Sequence, residues 1–136
     1  MKVFFNRIPL EPKALYSLQE IIEKADDTVL HPVCNFGNIM YHGENQLTEL
    51  YLKSSPDNRL IISRISLKNQ RIGTGTKIID YLKCFSKDKG FTSIIIESTL
   101  TPAINHFALK HGFTPQYNQG LIDEDNEFYG NYKLEL

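Results

Sequence analysis

The sequence predicts a mixed α/β fold, a sheet whose two central strands are each followed by a helix. Three observations lead there. A β-branched run, Arg59 to Leu67, passes through Gly73 and Gly75 into an amphipathic stretch, residues 76 to 89. A short apolar run, Phe91 to Glu97, is followed by Thr101 and Pro102, which suit the cap and first turn of a second helix. The tail from Phe128 alternates apolar Phe128, Tyr132, Leu134 and Leu136 with polar neighbours, as a half-buried strand does.

Taken in order, residues 13 to 25 place Leu15, Leu18, Ile22 and Ala25 at helical spacing behind Pro12. From Asp26 to Glu44 the pattern is irregular, broken by Pro32, Gly37 and Gly43, and only Asn38 to His42 reads as a strand. Leu47 to Lys53 alternates, Ser54 to Asn58 is a turn signal, and Arg59 to Leu67 comes next, which together predict a hairpin. Residues 76 to 89 put Ile78, Ile79, Leu82 and Phe85 on one stripe and stop at Gly90, where a helix C-cap favours glycine. Phe91 to Glu97 suits a strand buried on both faces. The helix opened by Pro102 carries Ile104, Phe107 and Ala108 and closes at Gly112.

The chain has 136 residues, and at roughly 150 per domain residues 1 to 136 are expected to form a single domain. With 41% hydrophobic and 23% charged residues, composition excludes a disordered or low-complexity chain. No apolar run approaches the about 20 residues of a membrane span, and Pro9 and Glu11 interrupt any signal-peptide core. A soluble, cytoplasmic protein is expected. Cys34 and Cys84 are isolated, and the four histidines lack metal-ligand spacing, so neither a disulfide framework nor a metal is expected. A net charge of −1 argues against nucleic-acid and membrane partners. The distribution is uneven, however: Lys68 to Lys89 holds six basic and two acidic residues, +4, leaving nine against fourteen, −5, elsewhere.

The basic stretch contains the most specific local feature, strand, short turn, glycine pair and helix start between Ile65 and Thr76. Unsatisfied N–H groups and the helix dipole make such a start a cradle for phosphate, and glycines let a ligand approach the backbone. Neither GxxxxGK[ST] nor GxGxxG fits Gly73-Thr74-Gly75-Thr76-Lys77-Ile78. On the glycines alone, a turn that merely packs strand against helix remains open.

Gln70-Arg71-Ile72-Gly73-Thr74-Gly75 fits [Q/R]-x-x-G-x-[G/A], and this stretch resembles the acyl-coenzyme A signature of the GNAT N-acetyltransferase superfamily. Ile104 to Phe113 is similar to that family's A-x-x-F-Y-x-K-x-G-F helix, and the resemblance is specific over residues 59 to 115. It implies a GNAT-like, mostly antiparallel sheet whose central strands splay, with acetyl-CoA as co-substrate in the gap. Backbone groups of Ile65 and Leu67, flanking Ser66, would meet the pantetheine, and Arg71, Ile72, Gly73, Thr74, Gly75 and Thr76 would hold the pyrophosphate beside Gln70. Thr101, Asn105, Phe107 and Lys110 would contact the cofactor from the second helix. Lys68, Arg71 and Lys77 are the cations placed to serve phosphate.

The sequence departs from the family pattern in three places. Ala108 stands where many members carry a tyrosine that protonates the leaving thiolate, Leu67 replaces a proline, and Thr101 replaces an asparagine. Glu97, closing an apolar strand, is the candidate base, and His106 is a second candidate. The run Asp123-Glu124-Asp125-Asn126-Glu127 would attract a cationic amine at the acceptor mouth. The implied reaction is acetyl transfer from acetyl-CoA to a primary amine, of a small molecule or peptide, by direct attack in a ternary complex. Two alternatives stay open: a non-catalytic acyl-CoA binding or sensing module, and a structural domain, dimeric through an edge strand.

Overall fold

A computed structural model of the chain describes residues 7 to 136. A 3₁₀ turn, Pro12–Leu15, leads into helix α1, Tyr16–Asp26, which buries Leu18 and Ile22. Four strands then form a meander: β1 (Leu30–Asn35), β2 (Asn38–Gly43), β3 (Glu49–Ser54) and β4 (Arg59–Ser66). Helix α2 (Thr74–Lys89), strand β5 (Ser93–Ile96), helix α3 (Pro102–Lys110) and the strands β6 (Thr114–Ile122) and β7 (Phe128–Glu135) complete the order.

The seven strands make one sheet in the order β1-β2-β3-β4-β5-β7-β6. Among the described residues β4 and β5 are the only neighbours that run parallel. That pairing demands a crossover, and α2 supplies it. Leu60, Ile62, Ile94, Ile96 and Tyr132 line one sheet face and join the buried stripes of α1 and α2 and Ala108 of α3 in one apolar cluster. All four residues of β5 are buried, as its unbroken apolar run predicts. Truncating one of its isoleucines to alanine would cost about 2–5 kcal/mol.

A bulge in β4 changes the facing of the strand's second half. Tyr51 pairs with Arg64 but Leu52 pairs with Ile62, so Ser63 is an extra residue with no partner on β3. An extra residue shifts the two-residue alternation of a strand. The inward set accordingly passes from Leu60 and Ile62 to Ile65, while Arg64 turns outward.

The two outermost strands are the ones that periodicity does not reveal. β1 exposes five of its six residues and contains Pro32, which an edge strand tolerates because one row of its N–H groups needs no partner. It is closed on β2 by Phe36-Gly37, both at positive φ (51° and 82°), the geometry of a tight hairpin turn. β6, at the other edge, is mostly exposed, and four of its residues, 116 to 119, stand opposite Asn131 alone. Its ladder resumes where Gly120 meets Gly130; a Cβ on Gly130 would lie 2.6 Å from the Gly120 Cα. α2 starts at Thr74, two residues before the predicted start, because Gly73 adopts φ +88° and turns the chain into the helix. No helix of the described residues is long and apolar enough to cross a membrane.

Candidate functional site

The β4–β5 ladder ends at Ile62 opposite Ile96, with a last bond from the Glu97 N–H to the Ile62 carbonyl (3.0 Å). Beyond that fork β4 continues through Ser66 without a partner on the β5 side. A cleft of about 860 Å³ lies between this free edge, the start of α2 and the flank of α3. Its walls mix the apolar side chains of Ile65, Leu67, Ile104 and Phe107 with the polar turn from Asn69 to Thr76.

The exposed turn at one end of the cleft presents the backbone of a helix start. Arg71 (φ +63°) and Gly73 (φ +88°) occupy the left-handed region, and no side chain caps the N-terminus of α2. The first N–H groups of a helix have no partner within it, and the dipole adds roughly half a positive charge there. Gly75 sits against Phe107: a Cβ at that position would lie 2.7 Å from the phenyl Cε1. Of the Asp, Glu, Lys and Arg side chains, those that line the cleft are Arg71 and Lys110, and His106 lines it beside them. Apolar walls leading to a cationic, donor-rich end suit a ligand with a long neutral arm and an anionic head.

Of the residues singled out from sequence, Ile65, Ser66, Leu67, Gln70, Arg71, Gly73, Thr74, Gly75, Thr76, Thr101, His106, Phe107 and Lys110 come together around this cleft. Five others do not line it. Ile72 points outward and is 59% exposed, because the αL backbone of Arg71 reverses the chain just before it. Asn105, on α3, is fully buried and donates from Nδ2 to Glu127 Oε2 (2.7 Å). Glu97 lies at the fork, but its carboxylate accepts from Lys53 Nζ on β3 (3.1 Å). Lys68 and Lys77 are likewise absent from the lining.

The acidic run is partly consumed by its own turn. Asp123 Oδ1 accepts from the N–H groups of Asp125 and Glu127 (2.9 Å each), and Glu127 holds Asn105. Two of its four carboxylates thus build structure. Ala108 is fully buried in the core, so its position offers no group to the cleft. His111, at the end of α3, packs on Phe107 (ring centroids 4.6 Å) with Nε2 3.2 Å from Thr76 Oγ1. Burial, with Lys83 and Lys110 nearby, holds its pKa below the usual histidine value.

Asn69, Ala103 and Ile104 also line the cleft. Ala103 and Ile104 follow from the first turn of α3, and Asn69 from its place beside Gln70. Asp26 had no such signal, since it closes α1 more than forty positions before the loop it touches: Lys68 N–H donates to its Oδ2 (2.8 Å) and Asn69 N–H to its Oδ1 (3.1 Å). Among the described residues no three His, Cys, Asp or Glu converge as metal ligands.

No protein-family model matches the chain, and no curated protein matches its sequence. Solved structures do match it in fold. An acetyltransferase from Bacillus anthracis str. Ames, in complex with acetyl coenzyme A, superposes with a TM-score of 0.52 at 21% identity, over 73% of this chain. The match spans 63% of that protein's length. A GNAT family acetyltransferase from Elizabethkingia anophelis with acetyl-CoA bound gives 0.53 at 14% identity, over 82% of this chain and 99% of its own. A Bacillus subtilis acetyltransferase in complex with CoA gives 0.51 at 15% identity, over 96% of each chain. The chain therefore has the GNAT acetyltransferase fold, a mixed sheet flanked by helices, as the two sequence motifs implied.

Proposed function

We propose that the protein binds acetyl-CoA in the cleft at the β4–β5 fork and transfers the acetyl group to a primary amine. The observation that carries this reading is the junction of a free strand edge with an uncapped helix start. The residues fit the co-substrate. First-turn N–H groups of α2, with Arg71 and Lys110, would hold the diphosphate through charge-assisted hydrogen bonds. The unpartnered edge of β4 at Ile65 and Leu67 offers backbone N–H and C=O to the amides of the pantetheine arm. Phe107 and Ile104 cover that arm and exclude water. The bound thioester supplies the activated acyl carbon.

Within this reading the chain works chiefly by positioning. A neutral amine held against the fork attacks in a ternary complex, the new C–N bond forms as the C–S bond breaks, and the sulfur leaves as thiolate. Orientation of this kind contributes several kcal/mol without a strong side-chain acid. Free N–H groups of β4 can donate to the carbonyl oxygen as it gains charge. Glu97, at the fork beside Lys53 but outside the cleft wall, would take the proton of the attacking amine by way of solvent, and solvent protonates the thiolate because Ala108 offers no hydroxyl.

Titration calorimetry with acetyl-CoA, followed by thiol release over a panel of amines, tests the proposal. Saturable binding with amine-dependent release is expected. Binding without release from any amine would leave an acyl-CoA binding module, and no binding would overturn the assignment of the cleft.

A further inference from the structure

Asp26 is fully buried at the end of α1, yet its partners lie in two distant segments. Its Oδ2 accepts from the Thr48 hydroxyl (2.6 Å) and from the Lys68 N–H (2.8 Å), and its Oδ1 from the Asn69 N–H (3.1 Å). Asn69 Nδ2 donates in turn to the carbonyl of Ala25, so the same helix end grips one residue twice. Thr48 is buried too and is held by Asn45, whose Nδ2 donates to its hydroxyl (2.9 Å). A buried carboxylate with both oxygens engaged is far less costly than one stripped of its donors. The loop after β4 is thereby pinned at its second and third residues, Lys68 and Asn69.

Pinning at that point matters because of what the loop must do next. Within four residues it places Arg71 and then Gly73 in the left-handed region and delivers the first N–H groups of α2 to the cleft. Left-handed backbone at a non-glycine residue persists where the surroundings hold it. We infer that Asp26 is a positioning residue that presets this loop as a receptor for the diphosphate of coenzyme A, through the backbone of Lys68 and Asn69 and without touching the ligand. The inference rests on the acetyl-CoA reading of the cleft.

The test compares Asp26→Asn and Thr48→Val with the unmodified chain, each checked for folding by circular dichroism. Asp26→Asn puts an NH₂ group where an N–H or O–H donor points; Thr48→Val removes one donor and keeps the carboxylate's two backbone bonds. CoA affinity is expected to fall at least tenfold in Asp26→Asn and severalfold in Thr48→Val, while affinity for pantetheine, which lacks the diphosphate, stays within twofold. Amide exchange at residues 68 to 76, measured without ligand, is expected to quicken in both variants relative to β5. Equal loss for CoA and pantetheine would mark Asp26 as merely structural and overturn the inference. So would unchanged CoA affinity in a folded variant, and if Asp26→Asn does not fold, Thr48→Val decides. Failure of the unmodified chain to bind CoA would instead overturn the reading of the cleft, and unchanged exchange at residues 68 to 76 would overturn the presetting of the loop whatever the ligand.

Discussion

Two helix starts border the cleft, and they are finished differently. α3 begins with Thr101 in extended conformation, its Oγ1 accepting the Ile104 N–H (3.3 Å), and Pro102 in the first turn. α2 begins with Gly73 in the left-handed conformation and no side-chain cap. The first start is satisfied by its own sequence; the second keeps its donors for something outside the chain. A helix of 16 residues whose N-cap is Gly73 forgoes a few tenths of a kcal/mol of side-chain capping. The anion that would recover that cost is the one the cationic lining of the cleft favours.

Breaking the open start should have the largest effect. Gly75→Val drives a side chain into Phe107 and is expected to weaken acetyl-CoA binding about a hundredfold, by calorimetry on a variant whose circular dichroism is unchanged. Unaltered affinity would show that the α2 start holds nothing. Next come Arg71→Ala and Lys110→Ala, each expected to reduce affinity about tenfold and to flatten its dependence on salt. An effect equal at low and high salt would argue against contact with phosphate.

The closed start should respond in the opposite sense. Thr101→Ala is expected to lower stability by about 0.5–1 kcal/mol in urea unfolding and to change acetyl-CoA affinity by less than Arg71→Ala. A larger loss of binding than of stability would mean that both starts serve the ligand. The smallest expected effect lies where the two helices touch. His111 binds its proton less readily folded than unfolded, so stability is fully present above the ordinary histidine pKa of about 6.5 and is lost as pH falls below it toward the folded value. His111→Gln should flatten the dependence of Tm on pH across that window; an identical profile would assign the slope to other groups.

The same contrast explains what was legible in the sequence. β4, α2, β5 and α3 carry their own punctuation, because a buried strand needs a continuous apolar run and a helix needs a stripe and an end. Gly73 and Gly75 were readable as a ligand cradle once Gln70 was added. β1 and β6 were not, since edge strands exposed on most positions are under no demand to alternate and even admit Pro32 and Pro115. Asn105 and Glu97 sit in motifs pointing to the cleft, yet packing turned one toward Glu127 and Lys53 claimed the other. Asp26 was invisible for a further reason: its three donors, Thr48, Lys68 and Asn69, are brought beside it only by the folded chain.

The position of β5 carries a consequence for how the chain reaches its native state. β1 to β4 form a ribbon of sequence neighbours, and β6 with β7 form a hairpin, so both can assemble from nearby residues. β5 alone joins them, through a parallel ladder to β4 and an antiparallel one to β7. Closing those long loops is the slow, entropically costly step of folding. The fork exists only after that step, so a molecule lodged there recognises the assembled chain and no earlier species. At a hundred times its Kd such a ligand would add about 2.7 kcal/mol to global stability.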